Sequence, residues 1–119
     1  MAQPRVLGKL LGANMNITTD QAIPLGYGHA IVTDIVVTNP SVSLTLAAGG
    51  LYTGAGKTGT IIVAATQLYA ALTAAGLALK AVIAAPVRVT TAQIFFALTT
   101  AQGVAATADI YVLGIEADQ

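Results

Sequence analysis

Few residues in this chain have the types and spacing that chemistry needs. Gly54-Ala55-Gly56-Lys57-Thr58-Gly59 spells GxGxxG, the pattern in which glycines let a backbone approach a pyrophosphate at a helix start. The next residues are Thr60-Ile61-Ile62-Val63, a β-branched run with strand character, and no Asp or Glu stands about 20 residues on to hold a ribose. The phosphate-loop reading of Gly56-Lys57-Thr58 fails on register, because the required glycine position is Leu51 and Gly50 is one residue out. The segment reads instead as a connection between strands, with Tyr52 and Lys57 as contacts to a neighbour. His29 is the sole histidine, and a relay would need Ser41 or Ser43 beside it with Asp34 or Asp109 behind it, which no local pattern signals. Glu116 and Asp118 lie two apart near the terminus, and Asp20, Asp34 and Asp109 are widely separated. The expectation is a chain with no catalytic, cofactor or metal site. Asp34 stands out structurally, since a carboxylate in an apolar strand needs a partner. It is expected either to pair with a basic residue such as Arg88, within the chain or across a subunit boundary, or to guard a sheet edge.

The elements that must position these residues are set by an unusual composition. A length of 119 residues suits one domain. Hydrophobic residues make up 55% and charged residues 8%, against roughly 25% charged in an ordinary soluble domain. Five basic and five acidic side chains cancel, a balance that favours association over repulsion. The expected remedy is burial between subunits. A neutral chain with no Trp and two Phe offers neither a phosphate-tracking patch nor a base-stacking platform, so nucleic acid is not an expected partner. With no Cys, disulfides and thiolate metal sites are excluded, in keeping with a reducing cytoplasm. No export signal follows Arg5 and Lys9. The charge-free window Thr58 to Leu79 is long enough to span a bilayer. Its threonines, glycines and symmetric lysine flanks argue against that, and no membrane is expected.

Short apolar runs separated by Gly, Pro, Asn and Gln turns predict an all-β sandwich. The clearest strand is His29 to Thr38, where alternation places Ile31, Thr33, Ile35 and Val37 on one face and Val32, Asp34 and Val36 on the other. Both faces are partly apolar, so cover is expected on both sides. Val42 to Leu46 alternates as a half-buried strand, Gly49 to Gly59 reads as a five-glycine loop, and Thr60 to Val63 as a strand. Ala65 to Ala75, with Leu68 and Leu72 four apart and Gly76 as a stop, predicts one helix. Further strands are expected around Leu79 to Ile83, Val87 to Thr91, Ile94 to Thr99 and Thr107 to Ile115, with shorter ones near Val6 to Leu11 and Asn16 to Ile23. The reading is mainly β: a two-sheet sandwich of jelly-roll type with one short helix near 65–75. It forms a single domain over 1–119, with residues 1–15 as an extended arm.

Gly50-Leu51-Tyr52-Thr53, QLYAALT over Gln67 to Thr73, LTTAQG over Leu98 to Gly103 and TADIYV over Thr107 to Val112 together resemble small virion proteins of tailed bacteriophages. The resemblance covers residues 28–114. It implies a homo-oligomer, a trimer in the favoured case, that decorates or cements the outer capsid lattice. The implied partners are the major capsid protein or another virion protein, the implied location is the virion, and assembly takes place in the bacterial host cytoplasm. The candidate assembly contacts are Arg5, Lys9, Asp34, Tyr52, Lys57 and Arg88. Two alternatives remain: another virion position, in a tail or at a head-fibre base, and a small non-catalytic ligand-binding module.

Overall fold

The alternating patterns condense into nine strands. The computed structural model describes residues 5–83 and 85–116. Its strands are β1 (Arg5–Asn14), β2 (Gln21–Pro24), β3 (Ala30–Thr38), β4 (Ala48–Gly54), β5 (Thr58–Val63), β6 (Ala78–Ala81), β7 (Val87–Val89), β8 (Gln93–Thr100) and β9 (Thr107–Glu116). They make two antiparallel sheets packed face to face. Sheet A runs β1-β9-β3-β6, with β7 on the same edge of β3 as β6, and sheet B runs β2-β8-β4-β5. Pairing is nested: β1 joins β9, β2 joins β8, β3 joins β6 and β7, and β4 joins β5. The chain is in effect one long hairpin, with its tip between β4 and β5, rolled so that successive pairs fall in opposite sheets.

Side-chain parity fills the space between the sheets. Ala108, Ile110 and Val112 of β9 face inward and are fully buried, while Tyr111, Leu113 and Ile115 face outward and are half-buried, as the alternation predicts. In β3 the parity changes midway. A bulge between Val32 and Asp34 opposite β9 inserts one extra residue and turns the following side chains over. Ala30 and Val32 are therefore buried together with Ile35 and Val37, and Ile31 falls on the outer face. Simple alternation puts Ile31 with Ile35, and the bulge corrects it. Sheet B contributes Ile23, Leu51, Ile94, Phe96 and Leu98 to the same core. One side of the sandwich is closed by a bridge between Gly8 and Leu25 and by the Gly26 N–H donating to the Leu7 carbonyl at 2.8 Å.

Four expectations are corrected. Ala65 to Ala75 is not a helix. Its backbone bonds sideways instead: the Gly49 N–H donates to Gln67 O at 3.0 Å, Tyr69 N–H to Ala47 O at 3.1 Å and Leu44 N–H to Leu72 O at 3.0 Å. Leu72 and Tyr69 are buried while Leu68 is 64% exposed, so the two leucines do not share a face. Helix propensity is worth only tenths of a kcal/mol per residue, and bonds to a neighbouring chain segment outweigh it. Val42 to Leu46 is a loop in which only Leu44 is fully buried, because a side chain rather than a strand satisfies its last amides. The five-glycine segment is not one loop: Gly49, Gly50 and Gly54 lie in β4 and Gly59 in β5. A Cβ at Gly50 would strike the Val63 carbonyl, and one at Gly49 would strike the backbone of Leu98 and Ala97. Glycine here permits close packing of backbones inside a sheet. Finally, from Arg5 to Asn14 the expected arm is β1, paired along its length with β9, since its apolar residues complete the core. Residues 1–4 lie outside the described residues.

Candidate functional site

β1 and β3 run in one direction in sheet A, and β9 and β6 in the other. The loops that follow β1 and β3 and those that precede β6 and β9 therefore meet at one end. These are residues 15–20, 39–47, 64–77 and 101–106. Their hydrogen bonds run from loop to loop. The buried Gln102 carries the knot, its Oε1 accepting from Leu46 N–H at 2.9 Å and Ala47 N–H at 3.1 Å, its Nε2 donating to Thr45 Oγ1 at 3.3 Å. The Gln102 N–H donates to Met15 O, Met15 N–H to Ala106 O, and Gly103 N–H to Asn16 Oδ1. Ser41 and Thr107 exchange two further bonds at 2.8 Å. The end is a braced surface.

Asp20 is the sole ionisable side chain from Asp, Glu, Lys, Arg and His in these four loops, and it turns away to accept from the Gly56 N–H of the β4–β5 hairpin at 2.6 Å. The same loops carry six exposed large hydrophobics: Ile17, Val42, Leu46, Leu68, Leu77 and Val104. Leu46 is 61% exposed and Val104 57%. Leu46 lies over the space left by Gly103, where an added Cβ would sit 3.9 Å from its Cδ1. An apolar surface whose loops carry one charge, Asp20, is what a docking face needs and what a free surface avoids.

The outer face of sheet A is a second apolar surface. Tyr111 pairs with Lys9 and Val36, Leu113 with Val6 and Asp34, and Ile115 with Ile31. Lys80 lies opposite Val36 and Arg88 opposite Ile31. Asp34 does not meet Arg88. The bulge at Thr33 and the break between β6 and β7 bring Lys80 to it instead, Nζ to Oδ1 at 2.8 Å. The Lys80 hydrogen bond holds the Asp34 carboxyl below its ordinary range against the opposing effect of burial, with lesser help from the Thr33 hydroxyl.

The other expected contacts do not join one site. Arg5 is exposed at the rim, its Nη1 donating to Tyr27 OH and Glu116 Oε2 at 3.2 Å each. Lys57 sits at the hairpin tip with φ 61°, next to Gly56 at 72°, a left-handed pair that makes GxGxxG a turn. Tyr52 is corrected: it is 3% exposed in β4, opposite Phe95 and outside the core cluster, and has little surface to offer a neighbour. His29 precedes β3 while Ser41 and Ser43 follow it, so a nine-residue strand holds them about 30 Å apart. Among the described residues no three His, Cys, Asp or Glu gather, and no helix is long and apolar enough to cross a membrane.

A cleft of about 740 Å³ opens between β5 and residues 82–88, lined by Ile61, Ile62, Val82, Pro86 and Val87. Gln67 spans it with both polar atoms engaged, accepting from Val82 N–H and donating to Leu68 O, each at 2.9 Å. That leaves Arg88 as the one charged group in its lining, short of the convergent polar set that fixes a small ligand. The loop end is missed at the level of sequence, although its signal is present: no charged residue falls between Asp34 and Lys57, between Lys57 and Lys80, or between Arg88 and Asp109. No protein-family model, no curated protein and no solved structure matches this chain.

Proposed function

We propose that this chain is a non-catalytic structural subunit of a virion, a jelly-roll domain that forms homo-oligomers and decorates the outer lattice of a bacteriophage capsid. The observation that carries the reading is the braced end whose loops hold six exposed hydrophobics and one charge, turned aside. Such a surface gains by leaving water and has few ions to desolvate on the way. The nested strand order supports the jelly-roll form, with β6 and β7 together taking the place of one edge strand to give eight positions in two sheets. That architecture is used by viral capsid domains. The trimer and the phage lattice rest on the sequence resemblance.

The test is co-sedimentation of the purified protein with shells of the major capsid protein from the same virus. Saturable, stoichiometric binding is expected. A folded protein that stays in the supernatant at every concentration would remove the lattice role. Binding to isolated tails instead would move it to another virion position.

A further inference from the structure

We infer that, off the virion, the apolar end is covered by the same end of a second copy, related by a two-fold axis. This rests on reading that end as an assembly surface, and it names the occupant. The first argument is charge. Across a two-fold axis each patch meets itself, so any central ion meets its own sign. Here Ile17, Val42, Leu46, Leu68, Leu77 and Val104 meet their counterparts, and the carboxylates beside them are Asp20, held by the Gly56 N–H, and Asp109, held by the Asn39 side chain. The outer face of sheet A fails this condition, because Lys9, Lys80 and Arg88 outnumber Asp34 and Asp109 on it.

The second argument is area. Ten-residue strands at about 3.3 Å per residue run along the long axis of a body measuring 42 × 29 × 22 Å. The end therefore presents roughly 600 Å², near the 800 Å² that each partner gives to an interface of standard size. The third is preorganisation: the bonds of Gln102 and Met15 brace the loops before contact, so little ordering is left to oppose association.

The experiment is light scattering on a size-exclusion column across a hundredfold range of concentration, without detergent. The wild type is expected at an even number of subunits, whether two single chains or two rings meet. Leu46→Lys and Val104→Lys, each burying an unpaired cation, should weaken that association about thirtyfold or more and halve the mass, while Val36→Lys on sheet A leaves the pairing intact. A Leu46→Cys variant, in a chain with no other cysteine, should form a covalent dimer under oxidation. Three results would overturn the inference: an odd-numbered or monomeric wild type at all concentrations, a mass that the end variants leave unchanged, or capture of the end by uncharged phosphatidylcholine vesicles. Capsid shells that still bind a monomeric wild type would leave the virion role standing and remove only the two-fold contact.

Discussion

The Gln102 side chain illustrates how much one neutral group can carry in a chain so short of charge. It saturates two amides that a strand would otherwise have to satisfy, and among the described residues no buried side-chain polar atom lacks a partner. Gln102→Ala should leave the Leu46 and Ala47 amides without their acceptor and cost about 2–3 kcal/mol, read as a lowered denaturation midpoint with an unchanged slope. Tyr69 is a comparable case. It is fully buried, donates to Gly49 O at 2.9 Å and meets Phe96 edge-on at 6.2 Å. Burial pushes its phenol well above the ordinary value, so the folded state keeps the proton after the unfolded chain has begun to lose it near pH 10. Its contribution to stability is complete below that pH and declines as pH rises further. Tyr69→Phe is expected to cost about 1 kcal/mol at neutral pH by leaving Gly49 O unpaired and to flatten the alkaline loss of stability. Asp34→Asn, by contrast, removes a surface ion pair and should change stability by about 0.5 kcal/mol or less.

At the scale of elements, the strands with strict alternation are legible in the sequence and the departures are not. β9 follows from Ala108-Ile110-Val112, whose period of two is unbroken, and β8 from the apolar run Ile94 to Leu98, in which Ala97 is buried as well. β3 is legible as a strand but not in its facing, because nothing in Val32-Thr33-Asp34 announces a bulge. Ala65 to Ala75 departs from expectation because residues that favour a helix locally are here held by the carbonyls and amides of 44–49, a decision taken elsewhere in the chain. Gly49 and Gly50 look like loop residues, yet they answer to a backbone that comes too close for a Cβ. Gly50→Ala should therefore destabilise by several kcal/mol, well beyond the roughly 1 kcal/mol by which glycine and alanine differ in backbone freedom, and thermal unfolding would register it. The candidate site is the least legible part. Its residues come from four separate loops, and only the strand directions place them together.

For the whole molecule, the distribution of charge sets how association responds to solvent. Contact through an end dominated by apolar side chains should be insensitive to sodium chloride between about 50 and 500 mM, within about twofold in dissociation constant, and strengthened by sulfate, which is excluded from apolar surface. Sedimentation at graded salt would check this, and a steep weakening with sodium chloride would point to the lysines and arginine of sheet A instead. The nested pairing has a consequence in time as well as in space. β1 finds its neighbour only in β9, about a hundred residues later, and β2 finds its own only in β8. On a ribosome the chain can close its central β4–β5 hairpin early, but Leu7, Ala13 and Met15 stay exposed until the last strand has emerged. Synthesis would then produce all nine strands before either sheet is complete, and the step that zips β1 to β9 would commit both sheets together.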